Sequence, residues 1–120
     1  MTASVLAITV ALGGIGALLR LFVLKAIPNS LWWPIGVVNC IGSALVGVIF
    51  AIPESLWTVP LMLGLGGGLT TFSTLALLVS PNLEQKMFAQ IRSNLPLLFL
   101  HVVLGVLSCF SAMAITQWTV

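Results

Sequence analysis

The sequence predicts an all-α integral membrane protein with four transmembrane helices, the third of which is broken at mid-membrane. Three observations support this fold class. Of the 120 residues, 60% are hydrophobic and 5% are charged, whereas a soluble domain carries roughly 25% charged residues. The apolar residues fall into four runs, and the mean hydropathy of the chain is +1.25. The third run contains glycines and hydroxyl residues that a continuous membrane helix does not favour.

Each of the four apolar runs is near the roughly 20 residues that a helix needs to cross about 30 Å of hydrocarbon. Their approximate bounds are 4–25, 31–52, 57–79 and 95–118, so residues 1–120 form a single four-helix domain. Tryptophans lie at the span ends, as interfacial anchors do; they are Trp32, Trp33, Trp57 and Trp118. Of the three connections, only the last, 80–94, is long enough for a short amphipathic piece.

The first, second and fourth spans carry small residues at positions where helices approach each other closely. Residues 13–17 of the first span read GGIGA, and Gly42, Ser43 and Gly47 follow in the second. These faces pack either within one chain or between subunits. All four basic residues, Arg20, Lys25, Lys86 and Arg92, belong to the side of the first and third connections. The positive-inside rule then places both termini outside the cytoplasm.

The third span is interrupted by residues 64–74, which read GLGGGLTTFST. Each glycine costs about 1 kcal/mol relative to alanine in a helix, and the following hydroxyls can cap a new helical turn. Unpaired backbone at membrane depth is tolerated only where it is buried in protein or lines a polar cavity. The segment is therefore predicted to be a broken helix that marks a polar site.

The polar and titratable residues of the spans indicate recognition of a small anion and not catalysis. The chain has one histidine and no carboxylate within a span, so an enzyme is not expected. The spans instead contain neutral hydrogen-bond donors: Asn39, Ser43, Thr70, Thr71, Ser73, Thr74, Ser108 and Ser111. The ring edge of Phe72, which these hydroxyls flank, carries a partial positive charge that an anion can contact; otherwise Phe72 is a packing residue.

Three polar residues each have two interpretations. Asn39 either bonds the broken segment from a neighbouring helix or contacts the ligand, and both can hold together. Arg20 either snorkels to the headgroups or draws anions to a vestibule. His101, inside the fourth span, either satisfies a neighbouring group or acts as a proton relay, and a single histidine in a span favours the first.

Three blocks of the sequence resemble the signature blocks of the Fluc fluoride channels, also called CrcB. They are GGIGALLR at 13–20, NCIGS at 39–43 and GGGLTTFST at 66–74. The third block is the most specific, and the order of the blocks matches over the whole chain. The resemblance implies a passive fluoride channel that confers fluoride resistance, in the cell membrane, built as an antiparallel dimer of dual topology. Its partners are fluoride, the second subunit and the lipid bilayer, with no role for nucleic acid.

The resemblance also implies roles for single residues. Phe72 matches the first phenylalanine of a fluoride-coordinating pair, and Asn39 matches the pore asparagine. Ser73 and Thr74 match a hydroxyl track, and Ser108 is added to this pore set as a donor of the fourth span. The backbone carbonyls of Gly67 and Thr70 match those that hold a structural Na⁺ at the dimer interface.

Two departures from the family pattern keep alternatives open. Leu75 stands where the second phenylalanine is usual, and His101 is only a loose match to a lining aromatic of the fourth span. These departures, and the location of all four basic residues on one side of the membrane, favour an alternative. In it the chain is one subunit of a heterodimeric channel that has one degenerate pore. A small proton-coupled multidrug exporter would need a carboxylate within a span. A non-transporting membrane subunit would have no use for the broken third span.

Overall fold

The computed structural model describes residues 2–27, 32–72, 74, 76 and 87–119, with side chains of the last segment described from residue 94 onward. All the regular elements in these ranges are helices. They are α1 (Ala3–Ala26), α2 (Trp32–Ala51), a π-helix (Pro60–Gly66), α3 (Gly67–Leu69) and α4 (Met87–Thr119). Three helical segments are long and apolar enough to cross a membrane: Ala3–Ala26, Trp32–Ala51 and Asn94–Thr119.

The first two helices agree with the predicted spans to within one residue at each end. α1 ends where Ile27 leaves the helical region, with φ −109° and ψ 91°. α4 differs from the prediction because it begins at Met87 and continues through Pro96, so the last part of the third connection is helical and continuous with the fourth span. The connection residues 28–30 and 80–82 lie outside the described part of the chain.

The third predicted span is interrupted within the predicted segment 64–74, after the glycines. All four glycines of the segment, at positions 64 and 66–68, are helical, first in the π-helix and then in α3. Helical geometry ends one residue after α3, where Thr70 adopts extended backbone with φ −74° and ψ 154°. A helical hydrogen bond then recurs from the Ala76 amide to the Phe72 carbonyl at 2.8 Å. Residues 77–86 are outside the described ranges.

The glycines serve close helix packing. α1 packs against the π-helix and α3, and α2 packs along α4. A Cβ atom added to Gly16 of α1 would lie 2.5 Å from the Leu65 carbonyl oxygen, and one added to Gly64 would lie 2.5 Å from the Thr9 oxygen. A Cβ atom added to Gly47 of α2 would likewise collide with backbone atoms of Cys109 in α4. Side chains at these positions would push the helices apart.

The buried apolar side chains lie mainly on α2, the central helix of the described chain. Ile35, Val38 and Ile49 of α2 are buried, and so is Leu69 at the end of α3. Many large apolar side chains on the outer faces of α1, α2 and α4 are exposed, as expected for helices surrounded by lipid or by a second subunit. The end of α3 therefore faces the central helix, and this contact positions the polar site.

Candidate functional site

The site begins where the chain leaves α3. The Thr70 amide still donates to the Gly66 carbonyl at 3.1 Å, which is the last helical bond of this segment. The next amide, of Thr71, donates to the side-chain oxygen Oδ1 of Asn39 at 2.7 Å. This bond replaces the helical bond that Thr71 would make to the Gly67 carbonyl. Asn39 of α2 therefore holds the third segment at the point where its helix ends.

Asn39 makes a second bond to the same residue. Its Nδ2 donates to the Thr71 carbonyl at 3.2 Å, so one amide side chain pairs with both backbone groups of Thr71. Thr71 is 6% exposed, and its backbone would otherwise be costly to bury. Of the two interpretations of Asn39, the structure shows the interhelical bond; the contact to a ligand stays a prediction.

Thr71 also begins the next helical turn. Its Oγ1 accepts a bond from the Thr74 amide at 3.4 Å and lies 3.0 Å from the Thr74 hydroxyl. A threonine that accepts from the third amide after it acts as a helix N-cap. The hydroxyls of the segment thus perform the capping role that the sequence suggested, with Thr71 in the main part.

Arg20 contacts the break from α1. Its Nη1 donates to the Thr70 carbonyl at 3.1 Å, and the side chain is half-buried. The guanidinium is therefore bonded to the protein at the break. The carbonyls of Gly67 and Thr70 have both lost helical partners and receive side-chain donors, since the Thr70 hydroxyl lies 3.4 Å from the Gly67 oxygen. A carbonyl oxygen has two lone pairs, so each can also face a cation.

A polar groove of about 260 Å³ opens beside the break. It lies between α2, the Thr70–Phe72 segment and α4. Its lining residues are Asn39, Ser43, Thr70, Thr71, Phe72, His101, Val102, Gly105 and Val106. A second groove of about 280 Å³ shares Ser43, Thr70, Gly105 and Val106 with it and extends to Gly66 and Gly67. The two grooves therefore adjoin along the break.

The predicted pore residues are distributed unevenly around these grooves. Asn39 and Phe72 line the polar groove, and the Phe72 side chain is 68% exposed. Thr74 is bonded to Thr71 beside it. Ser108, on α4, lines neither groove. Ser73 and Leu75 lie outside the described residues.

Two lining residues were underestimated from the sequence. Thr71 was only one of several hydroxyls, and its pairing with Asn39 depends on a contact across 32 positions of the chain. His101 lies on the groove wall, with ring nitrogens at 2.7 Å and 3.0 Å from the carbonyls of Leu97 and Trp32. The sequence signal for His101 is a single histidine in an apolar span. Its hydrogen-bond partners could not be predicted, because they are backbone carbonyls of apolar residues.

This arrangement suits a small anion better than a proton or a large organic molecule. The groove offers amide and hydroxyl donors and an aromatic ring, and within the described chain it is lined by no carboxylate. Neutral donors coordinate an anion weakly, and weak coordination at several sites is what conduction needs.

Comparison with known proteins gives one family and several relatives. Residues 7–115 match the family model described as CrcB-like protein, Camphor Resistance (CrcB). The chain is 39% identical over 118 residues to the fluoride-specific ion channel FluC of Shewanella loihica, covering 87% of this chain and 95% of the relative. It is 33% identical over 119 residues to the Pyrococcus horikoshii protein of the same description, covering 88% and 95%.

A third relative is the fluoride-specific ion channel FluC 1 of Staphylococcus haemolyticus, 32% identical over 108 residues that cover 82% of this chain and 87% of the relative. No solved structure is significantly similar to the chain.

Proposed function

The chain belongs to the CrcB family, and we propose that it is the subunit of a fluoride-selective ion channel through which F⁻ leaves the cytoplasm passively. The three relatives named above are fluoride-specific ion channels. The chain is a membrane protein with several apolar helices. We place it in the plasma membrane, where export would protect the cell from fluoride.

The observation that carries the proposal is the polar groove at the helix break. Asn39 and Thr71 fix each other at its wall, the second N–H of the Asn39 amide and the Ser43 hydroxyl remain as donors there, and Phe72 is exposed beside them. A fluoride ion that enters loses most of its water, and these donors and the ring edge replace it. No energy source beyond the ion gradient is required.

The active unit in this proposal is an antiparallel dimer. The groove is open on the surface of a single chain, and open polar surface is costly in hydrocarbon. A second subunit in the opposite orientation would cover it and complete a path lined by both chains. We also propose that each chain crosses the membrane four times. The residues after the break complete the third span.

A structural Na⁺ at the dimer interface is part of the proposal and fits the residues present. The Gly67 and Thr70 carbonyls have lost their helical partners because the chain extends at Thr70, and unwound carbonyls are suitable cation ligands. The ion would join the two subunits. We expect efflux to fall when Na⁺ is replaced by a large organic cation on both sides of the membrane; unchanged efflux would reject the Na⁺ site.

A heterodimeric channel is the second candidate. All four basic residues belong to one side of the predicted topology, which argues for a fixed orientation. Leu75 in place of a pore aromatic would leave one degenerate pore. A chain of this kind would require a paired subunit of opposite orientation for full activity.

The test is fluoride efflux from liposomes that contain only this chain, measured with a fluoride electrode. We expect protein-dependent efflux of fluoride and no efflux of chloride under the same gradient. Efflux only after addition of a second, related subunit would favour the heterodimer. Absence of fluoride efflux in both cases would reject the channel function.

A further inference from the structure

His101, the single histidine of the chain, has both ring nitrogens on backbone carbonyl oxygens. Nδ1 lies 2.7 Å from the Leu97 oxygen, one turn earlier in α4, and Nε2 lies 3.0 Å from the Trp32 oxygen at the start of α2. A carbonyl oxygen accepts and never donates, whereas a neutral imidazole has one N–H and one lone pair. The neutral ring therefore satisfies one of the two contacts, and only the doubly protonated ring satisfies both.

The fold provides room for this bridge. A Cβ atom added to Gly36 of α2 would lie 2.8 Å from His101 Nε2, so the absence of a side chain there allows the ring to reach the Trp32 carbonyl. The Trp32 ring packs against the imidazole, with centroids 5.7 Å apart. The histidine is 8% exposed, so its position is determined by these contacts and not by solvent.

The ring separates two cavities. On one side is an apolar cavity of about 400 Å³ between α2 and α4, and on the other is the polar groove. Among the described residues that line either cavity, the other titratable side chain is the thiol of Cys40, and none is a carboxylate. Cys109 lies two turns further along α4, and Arg20 reaches the break from α1 through the Thr70 carbonyl.

We propose that His101 is a proton-dependent positioning residue of the fluoride path, an inference that rests on the proposed function. With both nitrogens protonated, the ring bridges Leu97 and Trp32 and presents a positive charge at the groove wall, where it attracts F⁻. With one proton, a lone pair faces a carbonyl oxygen, the bridge opens on one side and the charge is lost. Fluoride conduction is therefore higher in acid.

Burying the imidazolium has a cost that two features of the site offset. Hydrogen bonds from a charged donor are about twice as strong as neutral ones, and the ring makes two of them. The anion that occupies the groove supplies the opposite charge. The protonated histidine and the bound F⁻ thus favour each other, and neither requires a carboxylate nearby.

The experiment measures fluoride efflux from liposomes at equal internal and external pH between pH 5 and 8, the range in which histidines change charge. Protein-free liposomes correct for leakage of HF. For the wild type we expect efflux to rise about tenfold from pH 8 to pH 5, the lower end of the effect of a focused charge on ion entry. His101→Gln retains one donor without a titratable ring and should give a flat profile.

Two further variants refine the test. Gly36→Ala displaces the ring from the Trp32 carbonyl and should reduce the pH dependence although no residue that lines the polar groove is substituted. Thr116→Val is the matched control, since it removes a hydroxyl that bonds only the Ala112 carbonyl of its own helix at 2.8 Å. Its profile should equal that of the wild type.

A direct measurement uses ¹⁵N-histidine, which reports His101 alone because the chain has a single histidine. The protein is purified through a histidine-free tag, and its spectrum should show two protonated ring nitrogens at pH 5. A neutral ring at every pH, a flat wild-type efflux profile, or a His101→Gln profile that still rises in acid would overturn the inference. Absence of protein-dependent efflux at all pH values overturns the proposed function instead.

Discussion

A single side chain, Asn39, stabilises the irregular backbone of the third segment. Its amide accepts from the Thr71 N–H and donates to the Thr71 C=O, so both backbone groups that leave the helix are paired. Arg20 donates to the carbonyl of the preceding residue, Thr70. Because an unpaired backbone group in hydrocarbon costs several kcal/mol, these two side chains are what allow a non-helical segment at this depth.

Asn39→Ala should impair both stability and conduction. The two hydrogen bonds to the Thr71 backbone that this removes contribute about 1 kcal/mol each, so the protein should lose about 2 kcal/mol. We expect a lower unfolding temperature in detergent and at least about a tenfold loss of fluoride efflux. Thr9→Val is the control, because it removes a hydroxyl that bonds only the Val5 carbonyl in α1 at 2.7 Å. Wild-type efflux from Asn39→Ala would contradict the assignment.

Phe72→Leu tests whether the aromatic edge contacts the ion. Leucine retains apolar volume and removes the ring, whose interactions are worth about 0.5–1.5 kcal/mol, so efflux should fall by between about twofold and tenfold. Phe110→Leu is the matched control. Phe110 is a similarly exposed phenylalanine, 61% against 68%, and lines neither groove. Equal efflux from the two variants would show that the Phe72 ring has no part in conduction.

At the scale of elements, close approach of helices determines where the break lies. The backbone of α1 contacts the π-helix and α3 through glycine on both sides, at Gly13 and Gly16 facing Gly64 and Gly68. This contact holds the first half of the third segment against α1. The second half begins at Thr71, where Asn39 of α2 takes over. The break thus lies where α3, which packs on both α1 and α2, ends and Asn39 of α2 bonds the following residue.

Gly16→Ala should destabilise the protein, whereas Gly14→Ala should not. A Cβ at Gly16 would lie 2.5 Å from Leu65 O and 2.9 Å from Leu69 N, which are backbone atoms that cannot rotate away. We expect a loss of about 1–3 kcal/mol, measured as a lower unfolding temperature in detergent. A Cβ atom at Gly14 would have no neighbouring atom within 4 Å. Gly14→Ala should therefore leave the stability unchanged or raise it by up to about 1 kcal/mol. Equal effects at both positions would contradict the packing described here.

At the scale of the whole molecule, one chain presents a polar groove and many exposed apolar side chains to its surroundings. Lipid can cover the apolar faces but offers no partner for the groove. A second copy that covers the groove would place Phe72, now 68% exposed, in an interface. The functional path is in this view a property of the dimer and not of the single chain.

We therefore expect a particle of twice the 12.7 kDa chain mass in detergent by multi-angle light scattering. In a variant with Cys40 and Cys109 replaced by alanine, a cysteine at Thr2 reports orientation. An antiparallel homodimer should be labelled in about half of its copies by a membrane-impermeant maleimide added to intact vesicles, as dual topology requires. Complete labelling or complete protection would instead indicate one orientation and the heterodimeric alternative.

The sequence by itself determined the membrane class, the bounds of the first two helices and the presence of a polar break in the third segment. Hydropathy and charge carry this information because burial in lipid depends on composition along one helix. The break was predicted within residues 64–74 and lies there, at Thr70; the glycines before it are helical, since glycine in a helix is acceptable where it allows close packing.

Only the tertiary structure decided which groups meet at the break. The pairing of Asn39 with Thr71, the bond from Arg20 to Thr70 and the bridge made by His101 join positions 32, 50 and 69 residues apart. The partners in each case are backbone atoms, which every residue type possesses and no sequence pattern distinguishes. Their roles follow from where the helix ends and which helices lie beside that point, and these are properties of packing.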